Sequence, residues 1–249
     1  SGVYSAGLRQ NPSRPSNTGT RVSAATYNVH GWTGTDNRED PERVLRVVRA
    51  LGADVIALQE VPLPSKGKGS LTLEALSEAT GMAAIPGPTL FRNDAHYGNV
   101  LLLKEPVEKS CTVDISVLNR EPRGAIIADL PLAGLSLRII ATHLGLHAWE
   151  RRIQAARLIE EAGPREDKPF ILMGDMNEWN PFSPTLRLLR SRFGCTPAPP
   201  SYPSRFPLLA LDRIFVLPWE ARVDVAVYRT PPARTASDHK PVQAFIEFP

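Results

Sequence analysis

Residues 98–142 read GNVLLLKEPVEKSCTVDISVLNREPRGAIIADLPLAGLSLRIIAT. Four strand-like runs follow one another here: Gly98–Lys104, Thr112–Val117, Gly124–Leu130 and Leu135–Thr142. No helical segment separates them. A doubly wound parallel sheet needs a helix at each crossover, so it does not fit. Two mainly antiparallel or mixed β-sheets packed face to face, with helices outside, fit better.

Outward from this stretch, helices and strands interleave. Val22–Val29 reads as a strand. Asp40, Pro41 and Glu42 supply an N-cap, an N1 proline and a first-turn acid. The helix they open carries Val44, Val47, Val48 and Leu51 on one face and ends at Gly52. Ala53–Val61 is mostly apolar, the pattern of a buried strand. Leu71–Ala79 is predicted helical and closed by Gly81. Ala148–Ala162 is a helix with Ala155, Leu158, Ile159 and Ala162 inward. Phe170–Gly174 is a buried strand, and Pro184–Arg192 is a helix ended by Gly194. Five prolines make 195–207 a loop. Strands at Leu211–Leu217, Arg222–Tyr228 and Val242–Phe248 complete a set of nine or ten strands and four helices.

At 249 residues the chain can bury the core of one large α/β domain. With 22% charged and 42% hydrophobic residues, wholesale disorder is excluded. No apolar run nears the roughly 18 residues that cross a bilayer, so no stable membrane insertion is expected. Two cysteines, Cys111 and Cys195, cannot build a disulfide framework or a four-Cys zinc site. The net charge of +3 comes from residues 1–21, where Arg9, Arg14 and Arg21 meet no acid. The neutral remainder offers no footprint for general duplex binding. Residues 1–20 lack apolar periodicity and are expected to be a flexible basic arm ahead of a single domain, 21–249. The chain opens Ser1-Gly2 without methionine, so any native targeting segment is expected to lie outside this sequence. A cytoplasmic monomer is the expectation.

Polar residues interrupt the apolar runs where strands end. They are Asn28 and His30 after the first strand, Gln59 and Glu60 after the second, and His143 after Thr142. Further on come Gly174-Asp175-Met176-Asn177 and Ser237-Asp238-His239, and Asp212 opens a strand. Burying such groups costs several kcal/mol unless they are paired or ligate a metal. Each alone has a bland reading: Asn and Asp form turns, a lone His sits satisfied in a core. Their joint occurrence, in this order, is far more specific.

The ordered set resembles the endonuclease/exonuclease/phosphatase superfamily of DNase I-like phosphoesterases, from about residue 22 to 249. Gly174-Asp175-Met176-Asn177 and Ser237-Asp238-His239 carry the resemblance most specifically, with Tyr97-Gly98-Asn99-Val100-Leu101-Leu102 as a further segment. The resemblance implies a four-layer α/β sandwich. It implies Glu60 as main carboxylate ligand of Mg²⁺ or Mn²⁺, Asn28 as a neutral oxygen ligand, and Asp238 near the metal or positioning His239. Few carboxylates plus substrate oxygens is how Mg²⁺ is usually held. Asp175 is expected to orient or deprotonate the attacking water and Asn177 to hold the water or a phosphoryl oxygen. His239, paired with Asp212, is expected on the scissile phosphate. His143 and Tyr97 would add donors to that phosphate, and Asn99 would support the neighbouring shell.

Other residues stand beside these. His143 and His147 have H-x₃-H spacing but no third zinc ligand nearby. Arg123 could clamp phosphate. Arg151 and Arg152 lie in a first helical turn, where cations oppose the dipole, which favours anion binding mildly. Trp32, Trp149 and Trp179 each follow a site motif and could rim the pocket as base-stacking or lipid-contacting groups. The expected function is metal-dependent hydrolysis of a phosphodiester, with a nuclease first and a phospholipid or sphingomyelin-type phosphodiesterase or phosphoinositide phosphatase second. A non-catalytic binding module should have lost these ligands, and all are present.

Overall fold

The computed structural model describes residues 19–64, 71–92, 95–132, 134–163, 168–218 and 220–249. They form eleven strands and four α-helices. The first half comprises β1 (Thr20–Asn28), α1 (Pro41–Leu51), β2 (Val55–Pro64), α2 (Leu73–Thr80), β3 (Ala83–Arg92) and β4 (Ala95–Leu103). Then come β5 (Lys109–Asp114), β6 (Gly124–Leu132), β7 (Leu135–His143), α3 (Ala148–Glu161), β8 (Phe170–Asp175) and α4 (Pro184–Phe193). The chain closes with β9 (Asp212–Leu217), β10 (Arg222–Val227) and β11 (Val242–Phe248).

The strands make two mixed sheets, ordered β10-β11-β1-β2-β4-β3 and β5-β6-β7-β8-β9. Each holds one parallel pair, β1–β2 and β7–β8, and is otherwise antiparallel. Period-two alternation sorts side chains between the layers. Val55 and Ala57 of β2 and Leu101 and Leu103 of β4 face Ile126, Ala128, Ile171 and Met173 of the other sheet. The intervening Ile56, Leu58, Val100 and Leu102 face the opposite way, onto Val44, Val47, Val48 and Leu51 of α1. On the far side Ile140, Phe170 and Leu172 meet Ala155 and Leu158 of α3 and Leu186 and Leu189 of α4. The result is a helix–sheet–sheet–helix sandwich, as the resemblance implied. No described helix is long and apolar enough to cross a membrane.

Local signals explain the element ends. The Asp40 side chain accepts from the Arg43 N–H at 3.3 Å, and Gly52 closes α1 at φ +60°. Three sequence expectations need correcting. β3 went unread because Pro86, Gly87 and Pro88 look like breakers, yet it is an edge strand, where proline is tolerated. β5 lies three residues earlier than expected, because buried Ile115 and Val117 pack from the loop beyond it. Thr20, assigned to the arm, opens β1 opposite Phe248. The rest of the arm expectation, residues 1–18, lies outside the described residues.

Candidate active site

The C-terminal ends of β1, β2, β7 and β8 meet the start of β9 at one edge of the sandwich. Asn28, the last residue of β1, is buried there. Its Oδ1 accepts from the His30 N–H at 3.0 Å, which fixes the amide. Its Nδ2 then donates to Glu60 Oε1 at 2.9 Å and to Asp175 Oδ2 at 3.0 Å, across the two sheets. Glu60 sits in a register break of β2 between Leu58 and Val61, at φ +58°. A bulge with a left-handed glutamate is unusual backbone, held because it turns the carboxylate onto the edge. The Tyr97 hydroxyl donates to Glu60 Oε2 at 2.8 Å. Burial, then the Glu60 charge, pushes the Tyr97 phenol well above its usual range, so it stays a donor.

Asp175 ends β8, and Gly174 before it explains how. At φ +154°, a Cβ on Gly174 would collide with the Thr142 carbonyl oxygen of β7. Asp175 Oδ1 accepts from the Asn177 N–H at 2.8 Å, and Asn177 is left-handed at φ +49°. That turn aims Asn177 Nδ2 at His143 Nε2 (3.0 Å) and the Leu144 carbonyl (2.8 Å). Burial drives the His143 pKa down to about 4, against the pull of the Asp175 charge. A neutral ring can accept from Asn177 at Nε2.

His239 is the opposite case. Burial alone would lower its pKa, but the Asp212 charge and hydrogen bond, with Asp175 and Asp238, raise it to about 10. His239 Nδ1 lies 2.8 Å from Asp212 Oδ2, which also accepts from Ser201 Oγ at 2.5 Å. One edge thus holds a neutral and a charged imidazole. Both face Asp175 Oδ2: His143 Nε2 at 3.6 Å and His239 Nε2 at 3.8 Å.

The donor set fits a hard divalent cation. It offers carboxylate and amide oxygens and no thiolate. Asp175, Asp212 and His239 bring two carboxylate oxygens and a ring nitrogen within 4.8 Å of one another, and with the ring charged the two carboxylates are the ligands of that group. Asp212 Oδ1 is buried with no hydrogen-bond partner, and each Glu60 oxygen accepts one protein hydrogen bond.

The remaining predicted residues fall at varied distances from this centre. Asp238 lies beside His30, 3.7 Å from its Nδ1, and its charge reaches His239. Asn99 ties β4 to β6 through the Gly124 carbonyl at 3.0 Å and makes no hydrogen bond to the site groups. Arg123 is buried, bridged to Glu121 and bonded to the Leu144 carbonyl, and its charge bears on His143. Trp179 is 62% exposed. Trp149 is half exposed, with the Arg120 guanidinium 5.2 Å from its ring. Trp32 is no rim residue: it is 2% exposed, packed in the core under α1. Arg151 is a structural cation, buried against Glu178 at 3.0 Å. His147 caps α3 with Glu150 while His143 bonds Asn177, and among the described residues no metal-ligand group contains both histidines. Ser201 and Tyr202 were not read from sequence, and Ser237 was given no role of its own within its motif. Ser237 Oγ donates to the Asn28 carbonyl at 2.8 Å and accepts from the His239 N–H at 3.2 Å. Tyr202 packs its ring 4.8 Å from that of His239. Ser237 opens the Ser-Asp-His motif and could have been flagged; Ser201 and Tyr202 sit in a proline-rich loop that carries no signal.

The chain resembles known proteins in sequence and in fold. The chain is 30% identical over 243 residues to the uncharacterized protein YbhP of Escherichia coli K12, covering 89% of this chain and 94% of that one. A crystal structure of an endonuclease/exonuclease/phosphatase from Beutenbergia cavernae superposes with a TM-score of 0.75 at 22% identity, over 92% of this chain and 72% of that one. The mannosyl-6-phosphatase Bt3783 of Bacteroides thetaiotaomicron superposes with a TM-score of 0.73 at 17% identity, over 91% and 100%. Residues 25–239, from β1 through His239, match the model of the endonuclease/exonuclease/phosphatase family, and the chain belongs to that family.

Proposed function

We propose that this protein hydrolyses a phosphodiester by attack of water, with Mg²⁺ or Mn²⁺ bound at Glu60. One observation supports this most: three nitrogens, Asn28 Nδ2 on β1, His143 Nε2 on β7 and His239 Nε2 in the loop before β11, converge on Asp175 Oδ2. In this reading Asp175 takes a proton from the attacking water. Asn177, its amide held by His143 and Leu144, fixes where that water stands. His239 stays charged through Asp212 and presents Nε2–H to the phosphate, where charge develops. Tyr97 keeps the Glu60 carboxylate oriented. Glu60, Asn28 and Asp238 would hold the divalent ion, which when bound supplies charge neutralisation and Lewis acidity. Asn28 would have to turn its amide over to offer oxygen, giving up its bond from His30.

The charge balance favours a diester over a monoester. Four carboxylates, Glu60, Asp175, Asp212 and Asp238, stand against one imidazolium and one divalent ion. A monoanion enters such a pocket at lower cost than a dianion. The test is hydrolysis of bis-p-nitrophenyl phosphate against p-nitrophenyl phosphate, with Mg²⁺, Mn²⁺ or chelator. Single- and double-stranded DNA, RNA, sphingomyelin and phosphoinositides extend the screen. Metal-dependent cleavage of the diester reporter is expected; cleavage that survives chelation would overturn the reading.

A further inference from the structure

Ten large apolar side chains are exposed among the described residues, and nine lie on the side that carries the candidate site. The loop from β5 to β6 carries Leu118, 85% exposed. The loop from β7 to α3 carries Leu146, and the first turns of α3 carry Trp149 and Ile153. The loop from β8 to α4 carries Trp179 and Phe182, and the loop into β9 carries Phe206 and Leu208. Phe91 lies near the end of β3, in the hairpin whose other strand brings Tyr97 to Glu60. These loops leave the sheet ends that bear His143, Asp175 and Asp212. Trp149 and Ile153 also line a cleft of about 690 Å³ between α3 and α4, with Arg152 and Leu188. The tenth, Phe245, is on the outer face of β11, among charges of both signs: Arg21, Asp54, Arg222, Asp224 and Glu247.

Exposed charge on the loops that carry these tips is mainly basic. Arg120, Arg152 and Arg205 are exposed on residues 115–123, 144–153, 176–183 and 202–209. Of the acids there, Glu150 and Glu178 are buried, and the exposed Glu121 is paired with Arg123. Exposed apolar tips among exposed arginines match the headgroup layer of an anionic bilayer, where rings and aliphatic tips bury and guanidinium groups meet phosphate. A nucleic acid matches less well. Leu118, Leu146, Ile153 and Leu208 have no π-face on which a base could stack. Tips on separate loops around a recessed site also suit a fluid surface better than a rigid partner.

We propose that this side docks on the surface of an anionic phospholipid bilayer. The loop tips enter the headgroup layer, which sets the site over lipid phosphodiesters. The docking stands on its own; only a lipid phosphodiester as substrate rests on the proposed function.

Co-sedimentation of the whole chain with vesicles of phosphatidylglycerol mixed into phosphatidylcholine tests it. Pure phosphatidylcholine vesicles and a single-stranded oligonucleotide are the comparison arms. Binding is expected to be at least about tenfold tighter with phosphatidylglycerol, from the basic residues. Tryptophan emission should shift to the blue on vesicle addition, and Trp149→Phe with Trp179→Phe should remove that shift. Trp179→Ala with Phe182→Ala, or Phe206→Ala with Leu208→Ala, should weaken vesicle binding by about tenfold or more. Arg120→Gln and Arg152→Gln should each weaken it by about fivefold. Phe245→Ala should leave it unchanged. Melting temperature should hold in all, since the replaced groups are exposed. Absence of vesicle binding by the folded chain overturns the proposal. So does a loss as large in Phe245→Ala, or apolar variants that weaken oligonucleotide binding and spare vesicles. Bis-p-nitrophenyl phosphate hydrolysis by the same preparation reports catalysis separately. A chain that cleaves it but ignores vesicles overturns docking alone.

Discussion

Asp175 Oδ2 accepts from Asn28 Nδ2 and faces His143 Nε2 and His239 Nε2, while Oδ1 accepts from the Asn177 N–H, so its charge and its shape can be separated by mutation. Asp175→Asn keeps the shape and removes the acceptor of the water proton. His239→Ala removes the charged donor. Each should lower turnover of a diester reporter by at least about 100-fold, the scale of one positioned group, with an unchanged circular dichroism spectrum. Near wild-type turnover in either would refute the assignment. Glu60→Ala should be as inactive in saturating Mn²⁺ as the wild type is in EDTA; residual rates above that floor would place the metal elsewhere. At this scale the site was readable where a polar residue ends an apolar run, as at Asn28, Glu60, His143 and Asp175. It was unreadable where the partner sits in irregular chain, as with Ser201 behind Asp212. Trp32 misled because nearness in sequence to Asn28 says nothing about which way a ring packs.

Elements set the geometry that residues exploit, and glycine and proline decide two of them. Gly174→Ala would push β8 off β7 just before Asp175. It should cost several kcal/mol, as clashes at special backbone do, and it should lower turnover beyond what its stability loss explains; an Ala variant with normal melting and rate would remove the close-approach argument. Pro86 and Pro88 hid β3 because propensity alone cannot tell an edge strand from a loop. The antiparallel pair β6–β7 carries a titratable link. Arg138 grips Asp129 with Nε at 2.6 Å and a second nitrogen at 2.7 Å, and Lys168 adds a third contact at 3.1 Å. Arg138 chiefly holds the Asp129 carboxyl below its usual range, against partial burial. A depressed folded pKa means stability that is complete above the unfolded value of about 3.9. It is lost as pH falls through the folded value. Urea unfolding should therefore show wild type above Asp129→Asn at neutral pH, with the gap closing below about pH 4. A gap that persisted or widened in acid would contradict the sign.

On the scale of the whole molecule the site is a seam. Asn28, Glu60 and Tyr97 come from the six-stranded sheet, and His143, Asp175 and Asp212 from the five-stranded one. No disulfide joins the sheets, since Cys111 and Cys195 are free. What holds the seam is the apolar layer between them, to which both sheets contribute. A core shared by both sheets should unfold in one step, with tryptophan fluorescence and far-ultraviolet circular dichroism melting together. A divalent ion at Glu60 that binds only the assembled edge should stabilise the fold by linkage. At about 100 times its dissociation constant that is about 2.7 kcal/mol. For a domain of this length it corresponds to roughly 5–10 °C in melting temperature. Glu60→Gln should lose that shift while melting near wild type without metal. Met173→Ala, which opens a cavity in the inter-sheet layer, should do the reverse. It should lower stability by about 2–5 kcal/mol and keep the metal-induced shift, because every ligand remains. Two separate transitions, or a metal shift that survives Glu60→Gln, would show that the sheets and the ion are not coupled through this edge.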